Sequence, residues 1–308
     1  MKKFFFLLLF LNCSFLFGEN LSLRISPFFS YNYETITYSI YDGPKLNSQL
    51  EWESPYLFKT GINFSLGFNN FILDLSNAAA IPAKCGTMYD SDWYTENIKT
   101  NLSKHNLHAG FCYDFDVNLK YRVELKNRFS ILPQVSFNYS YSSYYAQKGI
   151  GWCGDTGHTQ LTKDYPWDSE YAVKVNKFGI DFFNNTFILF LGAGLEKSLG
   201  NFLFGFDVQI SPYIYVSSID HHLDSGDGRY YLLLQSAWFS CFNFDLSCTY
   251  CINQKNKISI IPKYCYCKEI MGVFYFGKEK VQSKRSDQPC SFNFSKLSIC
   301  ISWEIKIR

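Results

Sequence analysis

Beyond residue 18 the chain has no apolar run long enough to cross a bilayer as a helix, which excludes a helical membrane protein. It is also short of helix-forming material, with only 3 Met and few stretches rich in Ala or Leu, so the composition leans to strand. Excess charge is nearly absent. The formal net charge is +2, and the one dense basic run, Lys278-Glu279-Lys280-Val281-Gln282-Ser283-Lys284-Arg285, falls in a polar segment, so nothing points to a nucleic-acid partner.

Aromatic residues are abundant instead: 23 Tyr and 31 Phe, with Trp bringing the share to 19%. Residues 1–18 form a basic start (Met1-Lys2-Lys3), an apolar core and a small residue, Gly18, before Glu19. This is the pattern of a secretory signal peptide cleaved near Gly18, leaving residues 19–308 as a single domain. Lipidation at Cys13 is the alternative, but Phe10-Leu11-Asn12 makes a poor lipidation signal. An exported, aromatic, strand-forming chain is either an outer-membrane β-barrel or a secreted β-sandwich. Eleven cysteines leave ten after signal removal, which permits disulfides in an oxidising compartment, with Cys85 and Cys153 in predicted loops as one candidate bridge. Cys248 and Cys251 differ in strand parity and would leave opposite faces, which argues against a zinc site built with Cys265 and Cys267.

From Leu21 the chain alternates long strand-like segments with turn signals of two unequal kinds. Short turns fall at 67–70, 126–128, 198–201 and 253–256. Longer polar excursions fall at 42–47, 84–104, 148–168, 218–228 and 277–291. Four turns alternating with five loops predict an all-β, ten-stranded antiparallel transmembrane barrel with long loops on the extracellular side, and this regularity favours the barrel over the sandwich. Val117, Leu119, Tyr121 and Val123 share one face while Asn118, Lys120 and Arg122 share the other, as in a wall between lipid and a wet lumen. Many segments exceed the roughly 9 to 11 residues a bilayer needs, so the barrel should extend well beyond the membrane. Six Trp near segment ends, with the many Tyr, offer aromatic girdles.

Two spacings carry chemistry. Asp220 lies two residues before His222 where a strand gives way to a polar loop, so both side chains leave the same face and the carboxylate can orient the imidazole. Far upstream, Asp90 and Asp92 repeat that spacing. Such pairs on two loop edges can face each other across a barrel mouth and hold a water: the imidazole serves as base, and the two acids, if close, raise one another's pKa so that one stays protonated. Taken singly, an Asp-x-Asp in a loop is ordinarily solvated and an Asp beside a His is an ordinary surface ion pair. Asp220, His221, His222, Asp224 and Asp227 also form an alternative divalent-metal set, though the spaced ligands of a calcium loop are missing.

Three stretches in order, Ser48-Gln49-Leu50-Glu51-Trp52, Gly86-Thr87-Met88-Tyr89-Asp90-Ser91-Asp92-Trp93 and Asp220-His221-His222-Leu223-Asp224, resemble the omptin family of outer-membrane proteases. Ser103-Lys104-His105 and Asp114-Phe115-Asp116-Val117-Asn118 add weaker echoes between them. The resemblance implies an outer-membrane endopeptidase with an extracellular groove and no cofactor, in which Asp90, Asp92, Asp220 and His222 are catalytic and peptides or proteins are cut beside a basic residue. The rival reading is a non-catalytic barrel, an adhesin or structural protein. Two departures bear on specificity. Where the family carries an acid for the basic side chain this chain has Ser218, and a second acid near the outer end of the first strand is offered only by Glu34, one residue from the aligned Thr35. Outer-membrane lipid is the remaining expected partner, but 138–145 lacks the Arg by which family members grip lipopolysaccharide.

Overall fold

The computed structural model describes residues 21–95, 97–223, 228–277 and 284–307. The predicted signal segment 1–18, Asp224, Asp227 and most of the basic run at 278–285 lie outside the described residues. The first two strands, β1 (Leu21–Asp42) and β2 (Lys45–Phe68), run antiparallel over nearly their whole length. β3 (Phe71–Ala80) and β4 (Ala83–Asp92) form one interrupted stave against β2, broken beside Pro82, which has no N–H to give to a ladder. The next stave descends through β5 (Asn101–Ala109), β6 (Tyr113–Tyr121) and the short β7 (Val123–Glu124), and returns as β8 (Phe129–Ala146) and β9 (Gly149–Cys153). After a loop with one short helix, α1 (Thr156–Thr159), come β10 (Val173–Lys177), β11 (Ile180–Leu199), β12 (Phe202–His222), β13 (Arg229–Ala237), β14 (Cys241–Cys251), β15 (Asn256–Gly277) and β16 (Lys284–Lys306). β16 pairs back onto β1, from Arg24↔Lys306 to Ile40↔Cys290, so ten antiparallel staves close into a ring with no free edge.

The four turns at one end match the sequence reading. Asn69, Asn127 and Gly200 take positive φ there, and the Asn253 carboxamide accepts the backbone N–H groups of Lys255 and Asn256 at 2.9 Å each. At the other end the expected loops are largely wall. Segment 42–47 is a two-residue turn on Gly43, whose φ of +60° suits glycine. Most of 84–104 is β4 and β5, and the connection between them spans only 93–100. The cause is physical: above the lipid both faces of a strand meet water, so apolar alternation fades and the sequence reads as loop although the ladder continues.

Below, alternation is strong and its sense is outward. Phe64, Leu119, Phe137, Leu189, Phe206, Leu246, Ile260 and Ile299 are exposed on the outer surface, while Asn118, Lys120 and Asp207 line the interior. Tyr121, Tyr250 and Trp303 edge this belt near the short turns, and Tyr213, tilted against Trp238 at 5.1 Å, edges it above, as aromatic girdles do. Trp52 departs from that expectation: it is fully buried inside the ring.

The interior is divided by a layer of aromatic side chains from five strands. Trp52 stacks on Phe182 at 4.5 Å, Phe182 meets Tyr144 and Tyr38, and Tyr38 meets Phe292. Beneath lies a polar chamber of about 400 Å³ where Lys59 and Lys296 both contact Asp114, at 2.6 and 3.1 Å. Above lies an open groove. The cysteines of the described residues are all free thiols. Cys153 pairs in register with Asn101, whereas Cys85 lies beside Leu107 and His108, six or so residues farther down the same strand. At roughly 3.3 Å per residue that separation exceeds the reach of a disulfide, so the expected Cys85–Cys153 bridge does not form. The thiol neighbouring Cys85 is Cys112.

Candidate active site

The groove has a volume of about 520 Å³ and is lined by Asp90, Asp92, Asp220 and His222 together. Each pair is placed by strand parity and neighbours. Asp90 stands opposite Leu50 on β2 and Ser103 on β5, and Asp92 stands opposite Ser48 and Asn101. The chain then turns tightly, with the Asp92 carbonyl accepting both the backbone N–H and the hydroxyl of Thr100 at 2.9 and 3.0 Å. Asp90 and Asp92 therefore stand in the wall rather than on the loop the sequence implied. Asp220 and His222 are the last inward positions of β12, across the ring from them.

In the dyad, His222 Nε2 lies 3.0 Å from Asp220 Oδ2. The Asp220 carboxyl is buried, and its Oδ1 has no hydrogen-bond partner among the described residues. Tyr231 packs edge-on against the imidazole at 5.2 Å, fixing its plane. His221, one residue away, faces outward, stacked on Tyr230 at 3.9 Å and 3.8 Å from Asp181. The alternative metal set is thereby split between the two faces of β12.

Across the groove, burial pushes the Asp90 carboxyl up to about 7, the neighbouring Asp92 charge adding to the effect. Burial raises Asp92 as well, opposed by hydrogen bonds from Ser48 and Asn101 and by the Lys177 ammonium. These groups lie several strand residues above the apolar belt, in contact with the open groove. The charge of His222 lowers both acids, so the two pairs sense each other electrostatically.

The residues brought to the groove include three that spacing alone did not single out. His105 is buried. Its Nδ1 lies 2.7 Å from the Gln147 carbonyl and its Nε2 2.9 Å from the Ser103 hydroxyl, so Nδ1 carries the proton and Nε2 accepts. Burial lowers its pKa and keeps the ring neutral. Gly149 makes room for it, since a Cβ there would stand 2.6 Å from the ring and 2.4 Å from the Lys104 carbonyl oxygen. Lys177 lies over Gly151 in the same way, and Arg229, in register opposite His222, completes the set. Only the Ser103-Lys104-His105 echo hinted at any of these in the sequence.

Ser218 and Glu34 are not brought to the groove. Ser218 is fully buried at the level of the aromatic layer, donating to Asn184 Oδ1 at 2.8 Å and bonded to the Tyr38 hydroxyl. Glu34 is below that layer, accepting from the Tyr144 hydroxyl at 2.7 Å and lining the lower chamber. The outer end of β1 presents Tyr38 and Ile40 to the groove instead. At its edge, Cys153, Asp155 and His158 bring three donor atoms within 4.8 Å of one another. There the Asp155 carboxylate already caps α1 and holds His158 Nδ1 at 2.7 Å, so a cation would have to displace existing bonds.

A comparison with curated proteins found no match. Among solved structures, the chain resembles the outer membrane protease OmpT from Escherichia coli with a TM-score of 0.81 at 13% identity, covering 93% of this chain and 97% of that one. The translocator domain of the autotransporter NalP from Neisseria meningitidis aligns with a TM-score of 0.33 at 9% identity, covering 96% and 91%. The profile of the Omptin family matches residues 21–284. With that match spanning β1 to the start of β16 and both acid-bearing strands within it, the chain belongs to the Omptin family.

Proposed function

We propose that this protein is an outer-membrane endopeptidase, exported with removal of residues 1–18, whose groove faces the extracellular side and hydrolyses peptide bonds with a water held between Asp90–Asp92 and Asp220–His222. The observation carrying this is the convergence of the two pairs, about 130 residues apart in the chain, on one open groove. Family membership and the outer-membrane protease of similar fold support it. The apolar belt supports a lipid partner for the lower barrel.

His222 donates Nε2–H to Asp220, and Nδ1 is the ring nitrogen that takes a proton from water. Buried Asp220 stabilises the imidazolium that forms. The hydroxide attacks the scissile carbonyl, and His222 returns the proton to the leaving amine. Asp90, with its raised pKa, is the member of the acid pair that carries a proton near neutral pH, so it can donate to the developing oxyanion while Asp92 accepts from the water.

The test is digestion of a mixed peptide library by the detergent-refolded barrel, read by mass spectrometry. His222→Ala and Asp92→Ala should each lower kcat/KM by about 10²–10⁴-fold with the β-sheet spectrum unchanged. Unaltered cleavage by the double variant rules the mechanism out. A folded but inert parent protein favours a non-catalytic adhesin or structural barrel.

A further inference from the structure

Apart from the hydrolytic set, the charged side chains lining the groove among the described residues are all cationic: Lys177 and Arg229. The carboxyl groups lining the groove among the described residues are Asp90, Asp92 and Asp220; Asp220 holds the imidazole, and the mechanism above assigns the other two to water and oxyanion. A protease selecting Arg or Lys needs a further buried acid, because a cation taken from water without a partner is costly. Among the described residues no such acid lines the groove. The level below the dyad is filled by Ser218, Tyr38 and Asn184 bonded to one another, and Glu34 is shut beneath the aromatic layer.

The two cations are not equivalent. Lys177 acts on Asp90, Asp92 and Cys153 and so serves the acid pair. Arg229 is on the opposite side of the groove, directly across the ladder from His222, and forms no ion pair with a described residue. Its side chain lines the groove, and its guanidinium is a planar donor fork that matches a carboxylate. Resting on the endopeptidase reading above, we infer that this groove selects peptides with Asp or Glu beside the scissile bond, and that Arg229 receives that carboxylate.

Two measurements separate this inference from the reading it rests on. In the first, the refolded barrel digests a peptide library and the cut sites are mapped. Enrichment of Asp or Glu next to the cut supports the proposal; enrichment of Arg or Lys, or none, overturns it while leaving the protease reading intact. In the second, fluorescence anisotropy compares two labelled, non-hydrolysable hexapeptides that differ only in a central Glu or Lys. The Glu peptide should bind about tenfold more tightly, as a charge-assisted bidentate contact provides. Arg229→Gln should abolish the difference, Arg229→Lys should retain part of it and Arg229→Glu should reverse it. Preference for the Glu peptide without any cleavage sinks the hydrolytic mechanism and keeps the selectivity. Equal binding of both peptides by the parent protein sinks the selectivity.

Discussion

At the scale of the residue, Asp90 has the clearest consequence. Its carboxyl is raised from 3.8 to about 7, chiefly by burial, so the folded state holds a proton that the unfolded chain has already released between those values. That contribution to stability is fully present below pH 3.8 and is lost as pH rises through about 7, where the ionised group is held unfavourably in the groove. Asp90→Asn, which keeps the shape and removes the charge, should therefore raise the melting temperature at pH 8 and leave it little changed at pH 4. Thermal melts of both proteins in detergent at the two values check it; an equal shift at both would mean that the gain comes from packing instead. Asp220 and His222 were legible from spacing because a two-residue repeat at a strand end fixes a common face. Arg229 was not, because its approach to His222 is a cross-ladder relation that depends on register between β12 and β13.

At the scale of the element, the strands above the belt hold the groove and the aromatic layer holds the strands. Trp52, the last residue of the Ser48–Trp52 motif, contributes from β2 and stacks against Phe182 from β11 on the far side of the ring. Trp52→Ala should cost about 3–5 kcal/mol in urea unfolding, as for other large buried aromatics, and should join the groove to the lower chamber. A loss under about 1 kcal/mol would show that the layer collapses around the gap and is not rigid. The sequence placed Trp52 among the girdle residues because position near a segment end does not tell an inward side chain from an outward one. The same ambiguity hid the upper parts of β4 and β5, where polar residues on both faces imitate a loop.

At the scale of the whole molecule, the barrel is stabilised by two solvents at once. Leu246 and its ladder partner Phe206 lie near the middle of the outward apolar belt. Leu246→Arg should destabilise the barrel by about 2–4 kcal/mol in urea refolding from lipid vesicles. An unchanged midpoint would place the belt outside the hydrocarbon. By itself the sequence determined the ring: strand count, short turns, outward apolar face and the two acidic spacings all follow from a period of two, which is a local property of the chain. Tertiary structure alone decided what the ring encloses. Which inward residues share a level depends on the stagger between staves that closure imposes. That stagger brings Asp90 and Asp92 opposite the dyad, leaves Glu34 below the aromatic layer and sets Arg229 beside His222.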